Sequence, residues 1–385
     1  MAIGAVCFVV NAWNRMLLIL FLSALVSFLV TVVLVRFKHL HARFSADSDL
    51  HGVQKFHATP VPRIGGVAMF SGLLVGLLIS FFTQSNLLGL NVLLLAMPAF
   101  GAGLIEDLTK RVGVVVRLVA TFIAALLGAW LLHATIARVD IAWLDALLQR
   151  YALLAILFTM IAVGGVAHSI NIIDGYNGLS GMVSLFIFLA LAYVSFKAGD
   201  GTLMATSLAA CGAVGGFLLL NYPRGLIFSG DGGAYLQGFM IAEIAVLLVA
   251  RNPAVSPWCP LLLVIYPVFE TLFSIYRRKF LQGRSVGRPD ALHLHSVIYR
   301  RLVRWMVGSK ESKHLTRRNS MTAPYLWALA TLSVAPAVLF WHHTYVLMLC
   351  VVLFIALYIY LYRMIVHFKS PRWLVVRKKA SRSQR

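Results

Sequence analysis

Eleven apolar runs, each about as long as a bilayer's hydrocarbon core requires of a helix, constrain this 385-residue chain more than any other feature. They lie at 16-37, 64-83, 90-106, 115-135, 151-170, 179-197, 203-220, 234-250, 257-277, 322-340 and 343-365. Backbone groups in hydrocarbon must be satisfied within the protein, which leaves only helices and closed barrels. Barrel strands alternate apolar and polar residues, and these runs do not. The expected fold class is therefore all-α, a polytopic transmembrane helical bundle of about 11 spans. Composition agrees: 60% of residues are hydrophobic and 12% charged, more apolar than a soluble core requires. The first run has no basic leader and no small-residue cleavage site, so it reads as an anchor. One integral membrane domain is expected over 1-385, with a large basic loop at 278-321 and a basic tail at 366-385.

The basic residues orient the bundle. Segments on the side of the carboxy terminus carry 29 of the 34 Lys and Arg; Arg15, Arg138, Arg150, Lys197 and Arg251 lie on the other side. The positive-inside rule places the carboxy terminus in the cytoplasm and the amino terminus outside. A net charge of +21 distributed this way fits topology and anionic headgroups. Nucleic acid is not an expected partner, because no basic folded domain is present. Cys7, Cys211, Cys259 and Cys350 are scattered without CxxC spacing and read as small hydrophobes. The loop at 278-321 is too short for an ordinary domain and suits short amphipathic elements at the membrane surface.

Topology sorts the polar residues onto one face. "HGVQKFHATPVPRIGG", "GLIEDLTKRVG", "NIIDGYNGLSG", "NYPRGLIFSGDGGAY" and "GRPDALHLHSVIYRR" all fall on the cytoplasmic side. The external connections are short and chemically plain. Glu106 and Asp107 are adjacent carboxylates at the end of a span. Their oxygens suit Mg²⁺, a crowded pair can raise one pKa towards that of a base, and a solvated acid-base loop is the plain alternative. In "FSGDGGAYLQGF", glycines flank Asp231 just before a helix. They would let a phosphate approach the helix terminus, or would simply form a turn. Asp174 and Asn177 repeat that logic in "NIIDGYNGLSG", and the P-loop pattern is absent. Lys55, His57 and Arg63 form a basic stretch. His293 and His295 would face one way on an extended segment, within reach of a pyrophosphate. Glu243 and Glu270 fall inside spans and carry no catalytic assignment.

These five stretches, "KFHATPVPRIGG", "GLIEDL", "NIIDGYNGLSG", "FSGDGGAYLQGF" and "PDALHLHS", resemble in order those of the polyprenyl-phosphate N-acetylhexosamine-1-phosphate transferases (glycosyltransferase 4). The resemblance covers roughly residues 50 to 300. It implies an enzyme that moves a sugar-1-phosphate from a UDP-sugar to a polyprenyl (undecaprenyl) phosphate and releases UMP. The cofactor implied is Mg²⁺, with Mn²⁺ as a substitute. The setting implied is a bacterial inner membrane, where such products initiate cell-envelope glycans of the O-antigen type or related ones. A homodimer is compatible with it. The motif correspondence makes Asp231 a metal ligand, with Asp174 or Asn177 beside it. Glu106, Asp107, Asp174, His293 and His295 become catalytic, and Lys55, His57, Asn171 and Asn177 substrate-binding.

Four positions depart from the family pattern. Glu106 stands where Asp is common, Asn177 replaces an aspartate, Ala234 replaces a serine, and Ser296 stands where a third histidine often follows. They point to a subgroup and leave the sugar open. The rival class, a transporter or flippase of lipid-linked sugars, predicts charged residues along the spans and at both faces. Here the spans are nearly free of charge.

Overall fold

In the computed structural model of the chain, the described residues are 2–47, 60–283, 292–303 and 312–367. Lys55 and His57 lie outside them, as does the basic tail beyond residue 367.

The apolar runs are helices: α1 (Ala2–Arg36), α2 (Lys38–Ser45), α3 (Gly65–Gln84), α4 (Leu88–Leu95), α5 (Met97–Thr109), α6 (Val114–Leu131), α7 (Ala142–Arg150) and α8 (Ala152–Ile173). Then follow α9 (Leu179–Ala198), α10 (Gly201–Asn221), α11 (Gly230–Arg251), α12 (Trp258–Leu263), α13 (Ile265–Tyr276), α14 (Leu294–Ile298), α15 (Ser312–Leu339) and α16 (Thr344–Val366). Among the described residues, nine of these are long and apolar enough to cross a membrane, and the bent pair α4–α5 makes a tenth.

Two expected continuous spans are broken. The 90-106 run divides at Ala96 into α4 and α5, bent by 43°. The 257-277 run divides at Val264 into α12 and α13. Proline explains both. A ring at position i clashes with the carbonyl of residue i−4, so Pro98 disfavours helix through Leu94 and Pro267 through Leu263. Each break falls within two residues of the carbonyl so displaced. The 278-321 loop also differs from expectation. It contributes π-helical turns at Arg277–Leu281 and Tyr299–Val303, and its last residues already belong to α15. A two-residue antiparallel ladder, β1 (Ala46–Asp47) with β2 (Val61–Pro62), closes the segment after α2.

Hydrophobic burial gives helices little reason to associate within lipid, so close packing and interhelical hydrogen bonds carry the association. The α1–α10 crossing shows both. Ser23 and Ser27 of α1 each donate to a carbonyl of α10, at Ala209 and Ala213, over 2.6 Å. Opposite them, a Cβ on Gly216 would strike the Ala24 carbonyl and lie 2.8 Å from the Phe28 nitrogen. Those are backbone atoms that cannot step aside. At the neighbouring Gly215, a Cβ would meet only Leu185 Cδ1 at 3.5 Å. Gly216→Val is therefore expected to lower the thermal midpoint in detergent, at the ~1–3 kcal/mol typical of overpacking, with Gly215→Val shifting it much less. Equal shifts from the two variants would contradict this packing account.

Candidate active site

One end of the bundle gathers the start of α3, the end of α5, the start of α6, the end of α8 and the start of α11. Backbone hydrogen bonds place Arg63 among them. Its own N–H donates to Ser45 O (2.8 Å), and the neighbouring Pro62 carbonyl accepts from Phe228 N (2.8 Å). Gly65 N and Gly66 N then donate to Phe228 O and Ser229 O, each over 2.9 Å. The stretch before α3 is thus sewn to the stretch before α11.

The glycines around Asp231 serve this convergence. A Cβ on Gly103 would lie 2.6 Å from Gly232 N, and one on Gly66 would lie 2.7 Å from Gly233 Cα. Gly230 has φ 72°, and a Cβ there would strike the Arg63 carbonyl. The sequence left these glycines open between a phosphate approach and a plain turn; in the structure they admit the close approach of the backbones of α3 and α5. The structure also fills the terminus of α11. Asp107, which is fully buried, accepts from Asp231 N (2.9 Å) and Gly232 N (2.8 Å). A carboxylate from another helix thereby caps α11 at the positive end of its dipole.

Around that cap stands a balanced charge cluster. The Arg63 guanidinium lies 3.7 Å from Asp107 Oδ1 and 3.3 Å from Asp231 Oδ1. Arg117 pairs with Asp231 Oδ2, and Asn171 Nδ2 donates to Asp231 Oδ1 over 3.0 Å. Arg117 also lies over the Tyr235 ring, 5.8 Å from its centroid, and the Tyr235 hydroxyl meets His168 Nδ1 at 2.9 Å. Sequence reasoning used Arg117 only to orient the bundle. The available signal was one arginine inside the apolar stretch "VVVRLVATF", where charge is costly.

Glu106 and Asp107, one residue apart on a helix, point about 100° apart. Glu106 accepts from Val112 N (2.6 Å) and closes its own loop. Asp174 ends α8 and accepts from the Ser180 hydroxyl. Asn177 is buried, and its described contacts lie elsewhere than Asp231: its N–H donates to Asn319 Oδ1 (2.7 Å) and its amide to Ser320 Oγ (3.3 Å) and Pro223 O (3.4 Å). Gly178, with φ 73°, donates to Asn221 Oδ1 over 2.7 Å. The histidine segment is not extended throughout, since a helical turn begins at Leu294. The His293 and His295 rings nevertheless stack, with centroids 5.1 Å apart and planes at 16°. His295 also packs edge-on against Tyr176 at 5.3 Å, which joins this segment to the 174–178 loop.

Among the described residues, no three His, Cys, Asp or Glu side chains form a metal cage. Mg²⁺ does not require one, because it binds through one or two carboxylates together with substrate phosphates and water. Asp231 supplies such a carboxylate at the partly open edge of the cluster, while both oxygens of the buried Asp107 are taken by backbone N–H groups of α11. The residues present therefore fit a Mg²⁺ held chiefly by Asp231.

The architecture is that of a polytopic helical membrane protein whose spans bring a carboxylate–guanidinium centre to one end. Residues 89–249 match the model of the family described as glycosyl transferase family 4. A phospho-N-acetylmuramoyl-pentapeptide-transferase of Moorella thermoacetica is 30% identical over 252 residues, 61% of this chain and 74% of the relative. A decaprenyl-phosphate N-acetylglucosaminephosphotransferase of Mycobacterium leprae is 30% identical over 278 residues, 62% of this chain and 66% of the relative. An undecaprenyl-phosphate alpha-N-acetylglucosaminyl 1-phosphate transferase of Thermotoga maritima is 26% identical over 283 residues, 74% and 82% of the two chains. The chain thus spans just under two thirds of the Mycobacterium leprae relative's length. It belongs to glycosyl transferase family 4.

Asp174 gives the centre a pH signature. Burial, opposed by the Ser180 hydrogen bond and by Arg63, pushes its carboxyl up from 3.8 to about 7. A proton held more tightly in the folded state stabilises it fully below the unfolded pKa, and that stability is lost as pH rises through the folded value. Without divalent cations, the thermal midpoint should therefore fall between pH 4 and 7, and Asp174→Asn should flatten this slope. Because one edge of Asp174 reaches the surface, the effect is expected to be moderate. Parallel pH profiles for the two proteins would rule it out.

Proposed function

We propose that the chain is a Mg²⁺-dependent phosphoglycosyltransferase that moves a sugar-1-phosphate, of the N-acetylhexosamine type, from a UDP-sugar to a polyprenyl phosphate. The observation that carries this reading is the Asp107–Asp231–Arg63–Arg117 cluster at the meeting of five helix ends, in a member of glycosyl transferase family 4. Phosphoryl transfer asks a protein mainly for positioning and charge neutralisation, and this cluster offers both. In the proposed reaction, an oxygen of the polyprenyl phosphate attacks the phosphorus that carries the sugar. The bond from that phosphorus to the bridging oxygen breaks, and UMP leaves with the electron pair.

A phosphate monoester is already largely ionised near neutral pH, so this nucleophile has little need of a base. Asp107 then acts by holding Asp231 and the terminus of α11 in place, and Glu106 by shaping the 106–112 turn. Arg63 and Arg117 supply positive charge for the oxygens of the transferred group, and Asn171 orients Asp231. Bound Mg²⁺ would supply Lewis-acid neutralisation of the diphosphate, and Mn²⁺ would serve in its place. For the acceptor's tail, an apolar cavity of about 680 Å³ lies between α8, α11 and α12, lined by Phe158, Val163, Val246 and Leu261 among others. Val246 follows Asp231 by fifteen helical residues, roughly 22 Å along α11 at 1.5 Å per residue, so the tail would have to run along the bundle from the charge cluster to reach this cavity.

The asymmetry of the basic residues supports a cytoplasmic site, with the amino terminus outside and the carboxy terminus inside, in a bacterial plasma membrane. The product would start a cell-envelope glycan.

Membranes incubated with a panel of radiolabelled UDP-sugars and polyprenyl phosphate should yield one labelled lipid and stoichiometric UMP. Chelation should abolish both products, and Mg²⁺ should restore them. Asp231→Asn, in protein that retains its melting profile, should lower UMP release by about 10²–10³-fold. Near-normal release from that variant would remove Asp231 as the metal ligand. A panel with no labelled lipid would refute the reaction itself.

A further inference from the structure

Glu270 sits in α13, inside an apolar span, with its side chain only 1% exposed. A carboxyl group in such a place is costly unless its partners are built in, and these are. Its Oε1 meets His293 Nδ1 at 2.9 Å and accepts Leu294 N–H at 3.0 Å. Its Oε2 accepts the Tyr358 hydroxyl at 2.8 Å. The tyrosine is itself fixed by edge-on contacts with Phe269 (5.1 Å) and Phe273 (5.6 Å). One turn further along α16, Tyr362 donates to Leu292 O over 3.1 Å, and Arg277 bonds both Tyr362 and that carbonyl. The histidine segment is therefore clamped between α13 and α16.

The chemistry of the clamp is specific. A carboxylate only accepts hydrogen bonds, so the ring nitrogen facing it must carry the proton. That places hydrogen on Nδ1 of His293, so Nε2 can meet a phosphate oxygen, itself an acceptor, only as the N–H of the doubly protonated ring. The stack of His293 on His295 and the edge contact of His295 with Tyr176 carry this orientation into the 174–178 loop.

We propose that Glu270 is the positioning residue of the histidine segment, fixing the tautomer and ring plane of His293 for contact with the transferred phosphate. This rests on the transferase reading above and adds to it a residue outside the 89–249 family match. Tyr358 completes the clamp from α16.

The test uses the full chain in nanodiscs with ¹⁵N-labelled histidine, the His293 signal being assigned by its loss in His293→Gln. In the parent protein, the neutral ring is expected to carry its proton on Nδ1. A proton on Nε2 overturns the proposal without any Glu270 variant having to fold. Glu270→Leu, which keeps volume but offers no acceptor, should lose that tautomer. Its kcat should fall about 10- to 100-fold, as when carboxylate partners of other functional imidazoles are removed, with KM for the UDP-sugar little changed. Glu270→Gln retains an acceptor oxygen and should recover the tautomer and part of the turnover. A kcat that falls while the tautomer stays unchanged, or does not fall, overturns the positioning role. A parent that keeps the proton on Nδ1 but releases no UMP from any UDP-sugar refutes the transferase reading and leaves the clamp a purely structural feature.

Discussion

The second and third N–H groups of α11, those of Asp231 and Gly232, have to find acceptors in a place packed too closely for bulk water. Gly66 and Gly103 bring the backbones of α3 and α5 against residues 231–233, and the Asp107 carboxylate fills the gap with bonds of 2.9 and 2.8 Å. An unsatisfied buried donor costs about 1–3 kcal/mol, so this one side chain decides whether the three helix ends can meet. The position favours a short side chain that reaches straight back to the terminus. Glu106, one residue earlier, points another way and serves its own loop. The adjacent acids are thus unequal: one builds the centre, and the other shapes a turn beside it.

Charge neutrality then sets what the centre can accept. Two carboxylates and two guanidinium groups are already matched. An incoming diphosphate would draw Arg63 and Arg117 towards itself, and the carboxylates would need replacement positive charge. In a partly buried site that exchange is worth several kcal/mol, because Coulomb interactions are weakly screened there. This is the physical case for the divalent-cation dependence proposed above. It also explains why the carboxylates can stand close together before substrate arrives.

Much of this architecture was legible in the sequence, because a lipid environment allows few solutions. All eleven apolar runs correspond to helices or broken helices, and the clustering of polar motifs anticipated that residues 63, 107, 171 and 231 would meet. What escaped was set by tertiary contact. The breaks at Ala96 and Val264 lie two and three residues upstream of the prolines that cause them. The role of Arg117 depends on a partner 114 residues away. Glu270 could be flagged as a costly intramembrane carboxylate, but its partnership with His293 and Tyr358 joins segments that carry no common pattern. The glycines of GDGG were recognisable as a close approach, though not as an approach by helix backbones.

Asn177 shows how a departure from a family pattern acquires a physical reason. Where the resemblance implies an aspartate, this chain has a side chain whose amide donates towards Ser320 and the Pro223 carbonyl, with its backbone tied to Asn319. Ser320 donates to the same Pro223 carbonyl. A carboxylate at 177 would lose the amide donor and set negative charge against that oxygen, so the local chemistry selects asparagine. The same contacts bind the 174–178 loop to α15, while Asn221 and Trp327 hold Gly178 from both sides of its peptide. Fixed in this way, the loop presents Asp174 and Tyr176 towards the centre and the histidine segment. The asparagine sets the position of its neighbours' chemistry without needing to be a ligand itself.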